Sequence, residues 1–177
     1  MTKHIVYIAV SLDGKIARLD GSVDWLDPFN ETDEEYGYSV FLDSIDAVVM
    51  GARTYEKTLS FGAWPYMDKA TFVLTHTTHT KPEGASIEFS QGTPKDVIDG
   101  LVHRGIHVLW VMGGGDVIST MLRDHLIDEL RIFVVPVILG EGVPLFQNPG
   151  EHKLHLYNSK AFASGIVELS YVIQYTP

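Results

Sequence analysis

The chain has 177 residues, 45% hydrophobic and 20% charged, the size and composition of one globular domain that buries roughly 70% of its unfolded surface. Its 13 basic and 23 acidic residues leave a formal charge of -10, which argues against a nucleic-acid partner, since neutralising phosphates needs a basic footprint. There is no cysteine, which excludes disulfides, thiolate metal sites and a cysteine nucleophile and fits a cytoplasmic setting, and no apolar run reaches the length of about 18 residues that a membrane span needs.

The first apolar run, HIVYIAV (His4 to Val10), is too short for a secretory core and turns polar at Ser11, so it is predicted as a strand and not a leader. From Asp20 to Asp46 there are nine Asp or Glu and no Lys or Arg, a pattern that reads as a solvated acidic face. Inside that run Thr32 and Glu35 have capping-box spacing and Tyr36, Val40 and Phe41 follow on one face, which predicts a helix starting there. AVVM (Ala47 to Met50) and TFVL (Thr71 to Leu74) are short, branched and bounded by turn residues, as buried strands are. Thr93 and Pro94 look like the N-cap and first residue of a helix whose apolar stripe is Val97, Ile98, Leu101 and Val102. A fourth strand, VLWVM (Val108 to Met112), leads through Gly113, Gly114 and Gly115 into a helix with Val117, Ile118, Met121 and Leu122 on one face. LRIFVVPVIL (Leu130 to Leu139) is a further strand, with Pro136 marking an edge or a bulge. HLYNSKAF and IVELSYVIQY, separated by Ala163, Ser164 and Gly165, read as an antiparallel hairpin. Strands alternating with helices predict a single α/β domain over residues 1–177, with a mostly parallel central sheet covered by helices on both faces and closed by the C-terminal hairpin.

The glycine triplet needs a reason, because each glycine costs about 0.5–1 kcal/mol relative to alanine in regular structure. It can serve a tight strand-to-helix turn, or it can let an anion approach the backbone N–H groups of a helix start. Ligands of open α/β sheets bind beyond the carboxyl ends of the strands, where this chain puts Ser11, Gly51, Thr75 and Gly113. On the anion reading, Gly114→Val blocks the ligand and Gly115→Ala is the milder change. The ordinary dinucleotide fingerprint is excluded by Ile118 and the P-loop by the absence of G-K-[ST]. His76 to His79 and His152 to His155 lack metal-ligand spacing, so no metal site is expected. Asp13 can be a turn former or an acid, and Trp25 can cover a substrate ring or plug the core.

Taken in order, SLDGKIA (Ser11 to Ala17), VDW (Val23 to Trp25), MGARTYE (Met50 to Glu56), VLT (Val73 to Thr75), VMGGG (Val111 to Gly115), LIDEL (Leu126 to Leu130) and PVILGEGVPLF (Pro136 to Phe146) resemble the dihydrofolate-reductase-like superfamily. Within it they are similar to the reductase domain of the bifunctional riboflavin-biosynthesis deaminase-reductase. The resemblance implies NADPH lying across the strand ends, its carboxamide held by backbone groups of Ala9 and Ile16 and its pyrophosphate between the helices that start after Gly51 and around Gly115. It places Arg53 and Thr54 in the cofactor segment, and Thr75 with His76 beside the adenosine ribose. Asp116 stands where a folate reductase has a basic residue after the glycines, so NADH is not excluded. Counting back from MGARTYE puts the substrate carboxylate of a folate reductase on Glu35, a residue that the capping-box spacing also claims. Asp68 and Lys69 occupy the place of the arginine that grips the folate tail.

The expected function is an NAD(P)H-dependent reductase that transfers a hydride to a small pterin-like or pyrimidine-like molecule. The alternatives are a non-catalytic binder of nucleotide or metabolite on the same fold and, less favoured, a true dihydrofolate reductase. The resemblance further implies a homodimer through the late strands.

Overall fold

A computed structural model describes residues 2–175 and, within that span, every side chain except that of Val102. The chain runs β1 (Lys3–Ser11), β2 (Lys15–Ala17), a 3-10 turn (Asp24–Leu26), α1 (Asp27–Asn30), α2 (Tyr38–Ser44), β3 (Ala47–Gly51), α3 (Ala52–Ser60), β4 (Ala70–Leu74) and β5 (Ile87–Ser90). It continues through α4 (Pro94–Leu101), a 3-10 turn (Val102–Arg104), β6 (Val108–Gly113), α5 (Gly115–Arg123), β7 (Glu129–Val135), β8 (Val143–Pro144), β9 (Lys153–Ala161) and β10 (Val167–Gln174). Eight strands form one sheet in the order β5-β4-β3-β6-β1-β7-β10-β9. β5, β4, β3, β6, β1 and β7 are parallel, β10 is antiparallel to β7, and β9 is antiparallel to β10 at the edge.

Period-two alternation divides the core. Val6, Val49, Leu109 and Val111 face one side, where α4 contributes Val97, Ile98 and Leu101 and α5 contributes Ile118, Met121 and Leu122. Ile5, Val48, Met50 and Trp110 face the other, against Phe41 of α2 and Tyr55 of α3. The expected start of α4 is present as a reciprocal box. Asp96 N donates to Thr93 Oγ1 at 3.2 Å and Thr93 N donates to Asp96 Oδ2 at 2.7 Å. Val102, expected to end that stripe, begins a 3-10 turn.

Two local expectations fail for reasons of backbone geometry. The Thr32–Glu35 box does not form, because Gly37 precedes α2 in the left-handed region at φ 76° and the helix starts only at Tyr38. Thr32 Oγ1 instead donates to Phe29 O, and Glu35 Oε2 accepts from Ser39 Oγ at 2.7 Å. The strand expected to reach Leu139 stops at Val135, with Val137 N turned back onto Val135 O at 2.7 Å, so Pro136 ends β7 and does not sit on an edge.

The start of α5 lies under the main chain of residues 143–147. A Cβ on Gly115 would come within 2.5 Å of Pro144 O and 3.0 Å of Leu145 O. The same segment is fastened below by Gln147 N donating to Ser119 Oγ and above by Leu145 N donating to Gly14 O. Gly113 has φ 112°, a conformation that side chains resist, whereas a Cβ on Gly114 would meet only Thr54 Oγ1 at 3.6 Å. Of the three glycines, Gly114 alone has neither a positive φ nor a close contact at the place of a Cβ.

Glu129, 2% exposed at the start of β7, ties three strands together. It accepts from Lys3 Nζ of β1, from Arg131 Nε on its own strand at 2.5 Å, and from the hydroxyl of Tyr157, which the register shift in β9 leaves without a partner on β10. Burial pushes the Glu129 carboxyl up, and the hydrogen bonds from Lys3, Tyr157 and Arg131 more than offset this, holding it below the usual glutamate range.

Two outcomes follow. Gly115→Ala lowers stability by about 1–3 kcal/mol in denaturant titration, because backbone carbonyls must give way, while Gly114→Ala stays within about 1 kcal/mol. Because the folded carboxyl of Glu129 titrates below the unfolded one, its contribution is complete above about pH 4.3 and is lost as pH falls through the lower folded value. Unfolding measured from pH 7 to pH 3 is therefore expected to show an acid-side loss that is smaller in Glu129→Gln, the variant starting about 1–3 kcal/mol less stable at pH 7.

Candidate functional site

The site begins where two neighbouring strands separate. β1 pairs with β6 only from Lys3↔Val108 to Val6↔Val111, yet continues beside β7 as far as Ser11↔Val135. Lys3 N donates to His107 O on the β6 side and His4 N to Asp128 on the β7 side. By alternation the backbone groups of Tyr7 and Ala9 also face β6. Trp110 Nε1 donates to Tyr7 O at 3.2 Å, so Ala9 is left facing the open rift.

On one side of the sheet the rift borders a groove of about 540 Å³ floored by Ile8, Leu74 and Met112. Its ends are the starts of α3 and α5, at Gly51 to Thr54 and Gly114 to Val117. Both helices have glycine N-caps, Gly51 and Gly114, with no side-chain hydrogen bond to their first turns, so their leading N–H groups face the groove unoccupied by side-chain oxygens. Arg53 is exposed there with no carboxylate within ion-pair distance among the described residues, and Lys57 lies one turn on. Asp116 sits in the first turn of α5, where a carboxylate favours the helix dipole. Ile16 and Ala17 of β2 with Val143 of β8 form a flap over the groove.

Asp13 holds that flap. Its Oδ1 accepts from Ser11 Oγ at 2.6 Å and from Leu139 N at 3.0 Å, and its Oδ2 from Gly140 N at 2.8 Å. The Ser11 hydroxyl and these two backbone donors lower the Asp13 carboxyl to about 2, so it is an ionised clasp between two loops and not an acid.

On the opposite side of β1 is a second cavity of about 370 Å³. Tyr7, Ala9, Phe133 and Val135 form its floor, Phe29 and Tyr36 its wall, and Glu34 and Glu35 its rim. Tyr7 lies 4.6 Å from the Phe133 ring and is stacked on Phe41 at 4.2 Å. Burial raises the Tyr7 hydroxyl well above the usual range, and as a protonated donor it meets Tyr36 O at 3.0 Å.

The structure thus brings Ile16, Gly51, Arg53, Thr54, Gly114, Gly115 and Asp116 to one groove, and Ala9 and Glu35 to the cavity behind it. Gly113, expected beside the cofactor, ends β6 and lines neither. Two other expected residues are placed elsewhere. Trp25 is 5% exposed and packs with Phe133, Val135 and Phe162, so it plugs the core beneath the cavity and does not cover a ring. Thr75 is buried, and its hydroxyl is engaged by Thr77 N, Thr77 Oγ1 and His79 Nε2, fixing the loop after β4 instead of lining the groove. His76 is exposed on that loop. Sequence reasoning missed Tyr7, Phe29, Tyr36 and Phe133. Only Tyr7 carried a signal, its spacing of two from Ala9. Among the described residues no group of acids and histidines is placed to hold a metal, and no helix is long and apolar enough to cross a membrane.

Residues 64–168 match the RibD C-terminal domain family. YwjB of Bacillus subtilis (strain 168) is 38% identical over 173 residues, which cover 96% of this chain and 97% of that protein. The crystal structure of a Shewanella sp. PV-4 protein provisionally assigned to riboflavin biosynthesis superposes with a TM-score of 0.88 at 33% identity, covering 98% of this chain and 100% of the other. A diaminohydroxyphosphoribosylaminopyrimidine deaminase/5-amino-6-(5-phosphoribosylamino)uracil reductase from Thermotoga maritima shares the fold with a TM-score of 0.74 at 20% identity, this chain spanning 57% of it. The parted β1–β6 rim, the glycine-capped helices and these likenesses agree, and the chain belongs to the RibD C-terminal domain family, on a dihydrofolate-reductase-like fold.

Proposed function

We propose that the chain is an NADPH-dependent reductase of a small heterocyclic molecule. The observation that carries this reading is the position of β1: Ile8 lies under the groove, Tyr7 and Ala9 lie under the cavity, and the open rift runs beside them. A dinucleotide in the groove and a ring in the cavity would meet there. The groove fits such a cofactor in three respects. At Gly114 an added Cβ would touch only Thr54 Oγ1, two helix starts offer N–H groups with no side-chain cap, and Arg53 has no ion-pair partner among the described residues.

When bound, the nicotinamide supplies the hydride. The chain's own groups do the rest. Ala9, with Ile16 on the flap, offers backbone groups to the carboxamide, and the starts of α3 and α5 hold the pyrophosphate with Thr54 beside them. Arg53 at the start of α3 favours the extra phosphate of NADPH, while Asp116 at the start of α5 opposes added negative charge, so NADH is a weaker second cofactor. Phe29 and Tyr36 take the ring-covering role, and Glu35 at the rim can relay a proton from water to the reduced C=N or C=O group. A folate tail finds no guanidinium, since Asp68 pairs with Lys69 at 3.3 Å where an arginine would be needed.

NADPH is expected to bind with a Kd in the micromolar range, about -8 kcal/mol, and to raise Tm. Gly114→Val, by filling the space left for phosphate, should weaken binding at least about a hundredfold while leaving a cooperative unfolding transition. A variant that binds NADPH normally would show that the triplet serves the turn alone. Binding without oxidation of NADPH by any of a broad panel of pterins, pyrimidines and quinones would favour the non-catalytic binder.

We infer in addition that the chain pairs with a second copy through β9. All nine residues of this edge strand are exposed, and Leu154 and Leu156, 43% and 45% exposed, point to the same face. Sedimentation velocity should give twice the 19.7 kDa chain mass, and Leu156→Arg should shift the protein toward monomer.

A further inference from the structure

Resting on the reductase reading for where the substrate sits, we propose that the cavity selects a ring that carries no phosphate and is neutral or positively charged. The cavity over Tyr7 and Phe133 is near the lower end of the roughly 300–1,000 Å³ range of small-molecule sites, so it takes little more than one ring system. Its floor and wall are aromatic or aliphatic, which suits a flat ring. Its polar edge consists of Asn30, Thr32, Glu34, Glu35 and Ser39, with no Lys, Arg or His among the described residues that line it.

The two carboxylates are only partly engaged. Glu34 Oε1 accepts from Tyr36 N at 3.0 Å and Glu35 Oε2 accepts from Ser39 Oγ at 2.7 Å. Neither residue forms an ion pair among the described residues, and the other oxygen of each has no protein donor. Two cations beside the surrounding aromatic residues are engaged by other groups. Arg131 is held by Glu129 and lies 5.7 Å over the Phe41 ring, and Lys160 lies 4.4 Å over Phe162. A phosphate brought here would meet like charge and no guanidinium or ammonium, whereas an amino or amidinium edge would find two acceptors. The nine-carboxylate run from Asp20 to Asp46, which the sequence presents as a solvated face, thereby has part of its length turned to the mouth of a site. This sets the chain apart from a site for a phosphoribosyl compound such as the one in the name of the Thermotoga relative.

The test compares uridine, uridine 5'-monophosphate and 2-aminobenzimidazole, a bicyclic cation, by isothermal titration calorimetry on the protein with and without saturating NADPH. The expected order of affinity is the cation, then uridine, then the monophosphate, with the monophosphate at least about tenfold weaker than uridine. Glu34→Gln/Glu35→Gln should reduce the advantage of the cation over uridine at least about threefold, and 0.5 M NaCl should do the same in the unaltered protein. Equal or tighter binding of the monophosphate overturns the proposal, as does failure of all three rings to bind at millimolar concentration. Because the readout is binding, a protein that shows this order yet neither binds nor oxidises NADPH would refute the reductase reading and leave the charge selection standing.

Discussion

The architecture depends on β1 leaving one neighbour while keeping the other. After Val6↔Val111 the ladder to β6 stops, and the ladder to β7 continues for five more residues of β1. A strand that stayed paired on both sides would bury its N–H and C=O groups in the sheet, and nothing could approach them. Separation exposes the backbone of Ala9 at the rim, brings both faces of β1 to open space, and obliges another segment to cover the gap. That segment is the flap of β2 and β8, and Asp13 holds it by accepting from Ser11 Oγ on one side and from Leu139 N and Gly140 N on the other.

The two sides of the separated rim differ in charge. The groove presents Arg53, Lys57 and two helix starts, all of which favour anions, with Asp116 as the one acid among them. The cavity presents Glu34 and Glu35. Each ligand is therefore favoured on its own side and disfavoured on the other, and β1 is the partition. The glycine triplet shows a similar division. Gly113 is required by its φ and Gly115 by the carbonyl of Pro144, whereas a Cβ on Gly114 would meet only the Thr54 hydroxyl.

What could be read in the sequence was what local chemistry decides. The Thr93–Asp96 box, the faces of α4 and α5, the buried strands and the C-terminal hairpin all follow from neighbours within a few residues. The Thr32–Glu35 box and the end of β7 failed on local backbone geometry, and the other failures arose where a distant partner decided. Gly115 is obligatory because of Pro144, Trp25 is buried by Phe133 and Phe162, and Thr75 spends its hydroxyl on a loop closed by His79. Glu35 had the right spacing for a cap, but Gly37 broke the helix before it could act as one. Its place at a cavity rim depends on Phe133 and Val135 from a strand whose pairing with β1 no local pattern announces.

The central position of β1 has a consequence for how the chain is made. Both strands that flank it lie far along the sequence, and the bond from Trp110 to Tyr7 spans 103 positions. As the N-terminus emerges from the ribosome, at roughly 5–20 residues per second, HIVYIAV has no partner until β6 appears and only one until β7 follows. Its apolar residues and unpaired edges must wait through most of synthesis. The strand that partitions the finished site is thus the one most exposed to wrong pairing beforehand, and folding in vitro should be slowed by the same long loop closure.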